Sequence, residues 1–220
     1  MHVQIVLFDG FDPLDAVAPF EVFHAGGMAS DGAVTTELVS AEGPREVVSG
    51  TGGLSLRATA VLDPMRAGVV LVPGAAGPIG DTPGVDNTGD TIPALLGRTL
   101  ETPLPALLGQ ALAQPDVLFA AVCGGSLIPA MAGLIESRHA TTHHEGMDLL
   151  DATGVHAVRA RVVDDGDLVT GAGVTSGLDL GLHLLEREVG PQVAHAVEEL
   201  FAHERRGVVW RNTGPHPTGF

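Results

Sequence analysis

Residues 117–135 read VLFAAVCGGSLIPAMAGLI. The run from Val117 to Val122 is short and apolar at every position, the pattern of a strand buried on both faces of a parallel sheet. Cys123, Gly124, Gly125 and Ser126 follow, and then Leu127, Ile128, Met131 and Leu134 recur at helical spacing. The stretch therefore predicts a strand, a tight turn and a helix, with the single cysteine of the chain at the corner. At such a corner the unpaired N–H groups and the dipole of the following helix stabilise negative charge. That position predicts a thiol that ionises more readily than a free one, and the thiolate is the nucleophilic form. The glycines permit the bend and a close approach of substrate to the backbone. A buried structural cysteine is the alternative use of the same residue.

The totals set bounds on what such a corner can serve. A chain of 220 residues suits one α/β domain, read here as 1–205 with a tail at 206–220. One cysteine forms no intrachain disulfide, so nothing calls for an oxidising compartment. The chain starts directly with a strand-like run, HVQIVLF, without a basic leader, and no apolar stretch approaches the ~18–20 residues that span a bilayer. The expected location is the cytoplasm. A formal net charge of −16 argues against nucleic acid or an anionic membrane as partner. The absence of lysine and tyrosine excludes a Schiff-base lysine, a P-loop lysine and a tyrosine acid or base.

Strand and helix patterns alternate along the chain. Residues 3–8 predict a first, central strand, and a loop at Asp9–Pro13 leads to a helix from Leu14 that ends at Gly26–Gly27. Asp15 falls just past the carboxyl end of that strand, where open parallel sheets collect ligands, although an Asp so early in a helix also serves as a cap. Residues 34–42 and 68–74 predict further strands, with a Gly- and Ser-punctuated hairpin between them. The Pro- and Gly-rich stretch 81–105 is too long for an ordinary connection and reads as a lid or a disordered excursion. A helix at 107–114, a short strand at 140–142, a helix closed by Gly154, a hairpin turning at Asp164–Gly166 and two final helices complete the chain. The fold class is α/β, with a mostly parallel sheet between helix layers.

A cysteine nucleophile needs an acid/base and N–H groups to hold developing charge. Asp15, His143 and His144 stand at predicted strand ends. The adjacent pair His143–His144 lacks the spacing that places two ligands on one helical face, so no metal and no cofactor is expected.

LDAVAPFEVF (14–23), VLVPGAAG (70–77), AAVCGGSLIPAMAGLI with RHATTHH (120–144) and LVTGAGVTSGLDLGLHLLE (168–186) resemble the ThiJ/PfpI superfamily. They are most similar to the branch holding isonitrile hydratase and the amidotransferase-like domains of AraC-type regulators. The resemblance implies a flavodoxin-like three-layer sandwich, a nucleophile-elbow cysteine, a small-molecule substrate and a homodimer. It places the nucleophile at Cys123, the acid that hydrogen-bonds it at Asp15, a nearby histidine at His143, and oxyanion or substrate N–H groups at Gly74, Ala75 and Gly124. Ala75 stands where a second glycine is usual, Gly124 where Thr or His is usual, and His144 where Trp is usual. The enzyme expected from this pattern hydrates an isonitrile to an N-substituted formamide, or, with the same cysteine, adds water to a small α-oxoaldehyde. A non-catalytic domain that senses oxidants or electrophiles through Cys123 is the reading from a different class.

Overall fold

The computed structural model describes residues 1–80, 91–216 and 218–219. Its main sheet holds β1 (His2–Leu7), β2 (Thr35–Ser40), β5 (Ala60–Val61), β6 (Gly68–Val72), β7 (Val117–Val122), β10 (Val162–Asp164) and β11 (Leu168–Gly171). The spatial order is β10-β11-β7-β6-β1-β2-β5, and every neighbouring pair is parallel except β10 with β11. Its centre, β2-β1-β6-β7-β11, is the order of a doubly wound flavodoxin-type sheet, which reverses direction between β1 and β6. Two small ribbons stand apart from it, β3 (Arg45–Val48) with β4 (Ser55–Ala58) and β8 (His139–Ala140) with β9 (His156–Ala157).

Helices cover both faces. α1 (Pro13–Ala29), α6 (Ser176–Glu188) and α7 (Pro191–Phe201) pack on one another, while α2 (Ile92–Thr99), α3 (Leu104–Leu112), α4 (Leu127–Met131) and α5 (Met147–Ala152) make the second layer. β7 lies between α6 and α3, so all six of its residues are buried. This is why VLFAAV shows no alternation: neither face of the strand meets water. Register aligns the carboxyl ends, with Ala121 opposite Val72 and Val122 opposite Gly171. Whatever follows β1, β6 and β7 is therefore delivered to one edge.

The structure corrects three boundaries. α1 does not end at Gly26–Gly27 but runs through them to Ala29, where the Ser30 hydroxyl donates to the Gly26 carbonyl. A Cβ at Gly26 would lie 2.6 Å from Leu185 and one at Gly27 2.4 Å from the Val34 carbonyl oxygen, so these glycines admit α6 and the entry to β2 rather than stopping a helix. The cysteine helix is shorter than its apolar spacing predicts, because α4 closes at Met131 and Gly133 turns the chain with φ near +70°. Of the predicted lid at 81–105, residues 81–90 lie outside the described residues. Most of the remainder is helical, with a turn at 100–103 between α2 and α3: Thr91 caps α2 through its hydroxyl, Pro93 occupies the first turn, and Leu95, Leu96 and Thr99 are buried.

The tail docks as its one tryptophan suggested. Trp210 exchanges backbone hydrogen bonds with Val162 and Asp164 of β10, and its ring lies against His139. Beneath it Asp164 is buried, with His183 Nε2 2.8 Å from Oδ2, Arg211 at 3.0 Å and Arg187 at 3.2 Å. Burial raises this carboxyl, but His183, the Gly166 N–H and the two arginines prevail and hold it well below the usual carboxylate range. A group depressed in this way stabilises the fold above its unfolded pKa and loses that contribution as pH falls. Asp164→Ala should cost about 3 kcal/mol at pH 7, read by chemical denaturation, because it removes the buried carboxylate that pairs with Arg187 and Arg211 and leaves the buried His183 ring without its partner. The difference between variant and parent should narrow below about pH 4, where the carboxyl begins to protonate in the unfolded chain while the folded one still holds its charge.

Candidate active site

Three chain segments meet at the carboxyl edge. From β1 comes the start of α1, where the Asp12 side chain accepts the Leu14 N–H at 2.9 Å and Pro13 opens the first turn. Asp12 is therefore the cap, and Asp15 is released for another task. Asp15 is fully buried, and its Oδ2 accepts the Gly74 N–H at 2.9 Å from the loop after β6. The same carboxyl interacts with the Cys123 thiol, and its other oxygen, Oδ1, is buried without a well-formed hydrogen bond.

Cys123 follows β7 directly. It is the only one of the four non-glycine residues at positive φ that occupies this edge, with φ near +56° among the described residues. A left-handed backbone at a residue with a Cβ stores roughly 1–3 kcal/mol of strain and persists only when its surroundings fix it. Here they do. The Cys123 carbonyl accepts the Thr142 hydroxyl at 2.8 Å and the Ser126 hydroxyl at 3.3 Å, both donors being buried. Gly125 lets the turn close on β6, since a Cβ there would lie 2.2 Å from the Val72 carbonyl oxygen. Gly74 is pinched equally, with its notional Cβ 2.8 Å from both Asp15 Oδ2 and the Gly124 nitrogen. These two glycines exist for backbone approach to backbone, rather than of substrate to backbone.

Electrostatics changes the expected state of the thiol. Burial pushes the Cys123 thiol up, the charge of Asp15 pushes it further, and the Gly124 N–H works in the opposite direction without prevailing. The turn after it is a single 3-10 turn leading into a five-residue helix, too little aligned backbone to offset a buried carboxylate. Burial likewise lifts Asp15 well above the ordinary carboxylate range, with Asp12 adding to the effect and the Gly74 N–H opposing it. The two groups therefore share protons: a second negative charge in this buried space is disfavoured whichever group carries the first.

A cavity of about 290 Å³ opens in front of the sulfur. Its walls are Ile79, Ile92, Leu96, Leu127, Leu149 and Val174, and its polar lining includes Asp12, His143 and Glu145. Ala75 and Gly124 also face it. Gly74 and Asp15 stand behind. The resemblance assigned oxyanion duty to the Gly74 N–H, but Asp15 takes that donor. Ala75 is better placed: it pairs with Phe11 in an antiparallel bridge whose hydrogen bonds run from Asp12 N–H to the Gly74 carbonyl and from Ala76 N–H to the Gly10 carbonyl. The Ala75 N–H is thereby left without an acceptor among the described residues. His143 lies on the cavity wall and is held below its usual pKa by burial and by His144, with Glu145 opposing. A larger hollow of about 730 Å³ beside α7 is lined by Asp179, Glu186, Glu198, Glu199 and Glu204 and contains no nucleophile.

Sequence reasoning missed Thr142, Leu96 and Asp12. The Thr-Thr-His run flagged the first, and Thr91 before Ile92-Pro93 was a readable helix start that would have placed the second. A Cβ at Gly124 would lie 3.3 Å from Leu96. Leu96 thus takes up space beside position 124 that a larger residue there would need.

A doubly wound α/β fold with a strained cysteine at the end of a central strand, and a buried acid behind it, defines the nucleophile-elbow class. Sequence comparison narrows this. The sequence model of the DJ-1/PfpI family matches residues 100–187. Isonitrile hydratase from Pseudomonas putida is 30% identical over 199 residues, spanning 90% of this chain and 76% of that protein. The chain belongs to the DJ-1/PfpI family. An HTH-type transcriptional regulator, CdhR of Pseudomonas aeruginosa, is 26% identical over 89% of this chain, which spans only 53% of the regulator. Among solved structures, a ThiJ/PfpI family protein from Pseudomonas syringae superposes with a TM-score of 0.75 at 25% identity, covering 94% of this chain and 76% of that one. Drosophila melanogaster DJ-1beta shares the fold at a TM-score of 0.70 and 16% identity, covering 91% of this chain and 97% of that one. No helix among the described residues is long and apolar enough to cross a membrane.

The raised carboxyl gives a signed expectation. A folded-state pKa above the unfolded one costs stability as pH rises from the unfolded value toward the folded value. Asp15→Asn, which can still accept the Gly74 N–H, should melt several degrees higher at pH 7, and this gain should vanish below about pH 4, where Asp15 is protonated in both states. Iodoacetamide alkylation of Cys123 should show its midpoint at lower pH in the same variant, since the charge that lifts the thiol is gone.

Proposed function

We propose that the chain is a cysteine-dependent hydratase acting on a small neutral substrate with an apolar tail, most specifically an isonitrile converted to an N-substituted formamide. The observation that carries this reading is the buried Asp15 carboxyl set against the Cys123 thiol, with an apolar cavity opening in front of the sulfur. An isonitrile carbon accepts both a nucleophile and a proton, so a carboxyl placed to take the thiol proton and return it suits the first step. The Asp15 carboxylate removes the thiol proton as the sulfur bonds to the terminal carbon. The resulting carboxylic acid returns that proton to the same carbon, giving a thioimidate. Water, relieved of a proton by the carboxylate, then adds to the imidate carbon while the nitrogen is protonated. Collapse of this intermediate expels the sulfur and leaves the formamide, so one water is consumed and no oxidant is required. The Ala75 N–H, without an acceptor among the described residues, and the Gly124 N–H are the donors for the oxygen and sulfur that gain charge.

The acidic lining of Asp12 and Glu145, with a net charge of −16, disfavours anionic substrates. Incubation with a simple alkyl isonitrile, followed by formamide detection, tests the reading. Wild type should turn over; Cys123→Ala should be inactive and Asp15→Asn should fall at least ~100-fold, the ordinary size of a lost general acid/base. Absence of formamide from wild type, or unimpaired Cys123→Ala, rejects the hydratase. The same assay with methylglyoxal separates isonitrile from α-oxoaldehyde chemistry.

The regulator relative supports a second reading, a non-catalytic sensor in which Cys123 reacts with an oxidant or electrophile. Sulfinic acid formed stoichiometrically at Cys123 under mild peroxide, without turnover of any tested substrate, would favour it.

A further inference from the structure

The segment after Thr142 contains, in succession, three side chains of the types that ligate metals, His143, His144 and Glu145. One ligand atom from each lies within 4.8 Å of the others. The imidazoles face one another with ring centroids 4.1 Å apart and planes tilted by 41°. His143 Nδ1 stands 3.6 Å from Glu145 Oε2, too far for a hydrogen bond. Ligands held about 2.1 Å from a tetrahedral ion lie about 3.4 Å from each other, so this gap is close to what an intervening ion would set. Among the described residues, the other hydrogen bond to that nitrogen is a long one, 3.4 Å from the Glu145 N–H.

The turn that presents the three is anchored at both ends. Thr142 is buried with its hydroxyl on the Cys123 carbonyl at 2.8 Å. Gly146 N–H returns to the His143 carbonyl at 2.8 Å, and Met147 is buried immediately afterwards. The ligands are consequently positioned relative to the nucleophile's own backbone, and His143 and Glu145 line its cavity. Two imidazoles and one carboxylate select borderline divalent ions such as Zn²⁺, Ni²⁺ or Cu²⁺ over Mg²⁺ or Ca²⁺, which prefer all-oxygen sites. Three protein ligands also leave at least one coordination position open.

We propose that His143, His144 and Glu145 bind one divalent transition-metal ion at the mouth of the Cys123 cavity. The site does not depend on the hydratase reading, and its test requires no turnover. Metal-free full-length protein is titrated with Zn²⁺ in a calorimeter, alongside His144→Ala, Glu145→Gln and Cys123→Ser, each checked by circular dichroism for an unchanged melt. Wild type should bind one equivalent at micromolar affinity, and His144→Ala and Glu145→Gln should each weaken binding at least tenfold. Cys123→Ser should bind as wild type does. The Cε1 proton signal of His143 should shift on Zn²⁺ addition to wild type and not on addition to His144→Ala. No binding up to millimolar Zn²⁺ overturns the proposal. So does binding that both turn variants retain, which would place the ion elsewhere, or binding lost only in Cys123→Ser, which would make it a thiol adduct.

Discussion

The contact between the Asp15 carboxyl and the loop after β6 is what the rest of the site depends on. A carboxylate with no exposure to water needs donors, and it finds one in the Gly74 N–H at 2.9 Å. That bond fixes the path of the Pro73–Gly74–Ala75 loop, which in turn leaves the Ala75 N–H without an acceptor among the described residues. The carboxyl is then left facing the thiol, with one oxygen lacking a well-formed partner. Stability is sacrificed at this point: a buried acid beside a left-handed cysteine costs free energy that a neutral, relaxed corner would not. The sheet that surrounds it, with β7 buried on both faces, supplies the rigidity that keeps such a strained arrangement in place.

Acidity and nucleophilicity are arranged differently here from the simple picture of a thiolate at a helix start. The short turn after Cys123 contributes the Gly124 N–H but no long dipole. Burial dominates instead, lifting both the thiol and the Asp15 carboxyl, and the charge of Asp15 lifts the thiol further. What the fold builds is a proton-sharing pair, whose usefulness lies in moving one proton between carboxyl and sulfur without net charging of the cavity. Gly124 and Leu96 belong to the same design, because the helix α2 places a leucine against position 124.

Much of this was legible in the residues. The unbroken apolar run at 117–122, the Gly-Gly after Cys123, and the turn at Asp164–Gly166 carry their own physics: burial on both faces, sharp bending, and a hairpin reversal. The boundaries that misled are instructive. Gly26–Gly27 carries the local signature of a helix end, yet both glycines lie inside α1 because α6 and β2 approach closely there. The helix at Ile92–Thr99 was hidden by a proline that marks its first turn as well as a break.

The chain's own chemistry, one cysteine and no lysine or tyrosine, together with its alternation of apolar runs and turns, was enough to determine an α/β sheet and the identity of the nucleophile candidate. The resemblance already pointed to Asp15 as the acid at that sulfur. Tertiary structure alone decided that the Gly74 N–H is spent on Asp15, that the Ala75 N–H has no acceptor among the described residues, and in which direction burial moves the pair. The physical reason is range. Periodicity and turn chemistry act over a few residues, whereas Asp15 and Gly74 are 59 positions apart and Thr142 and Cys123 are 19 apart. Proton affinity in that space is set by burial, which no local pattern of residues encodes.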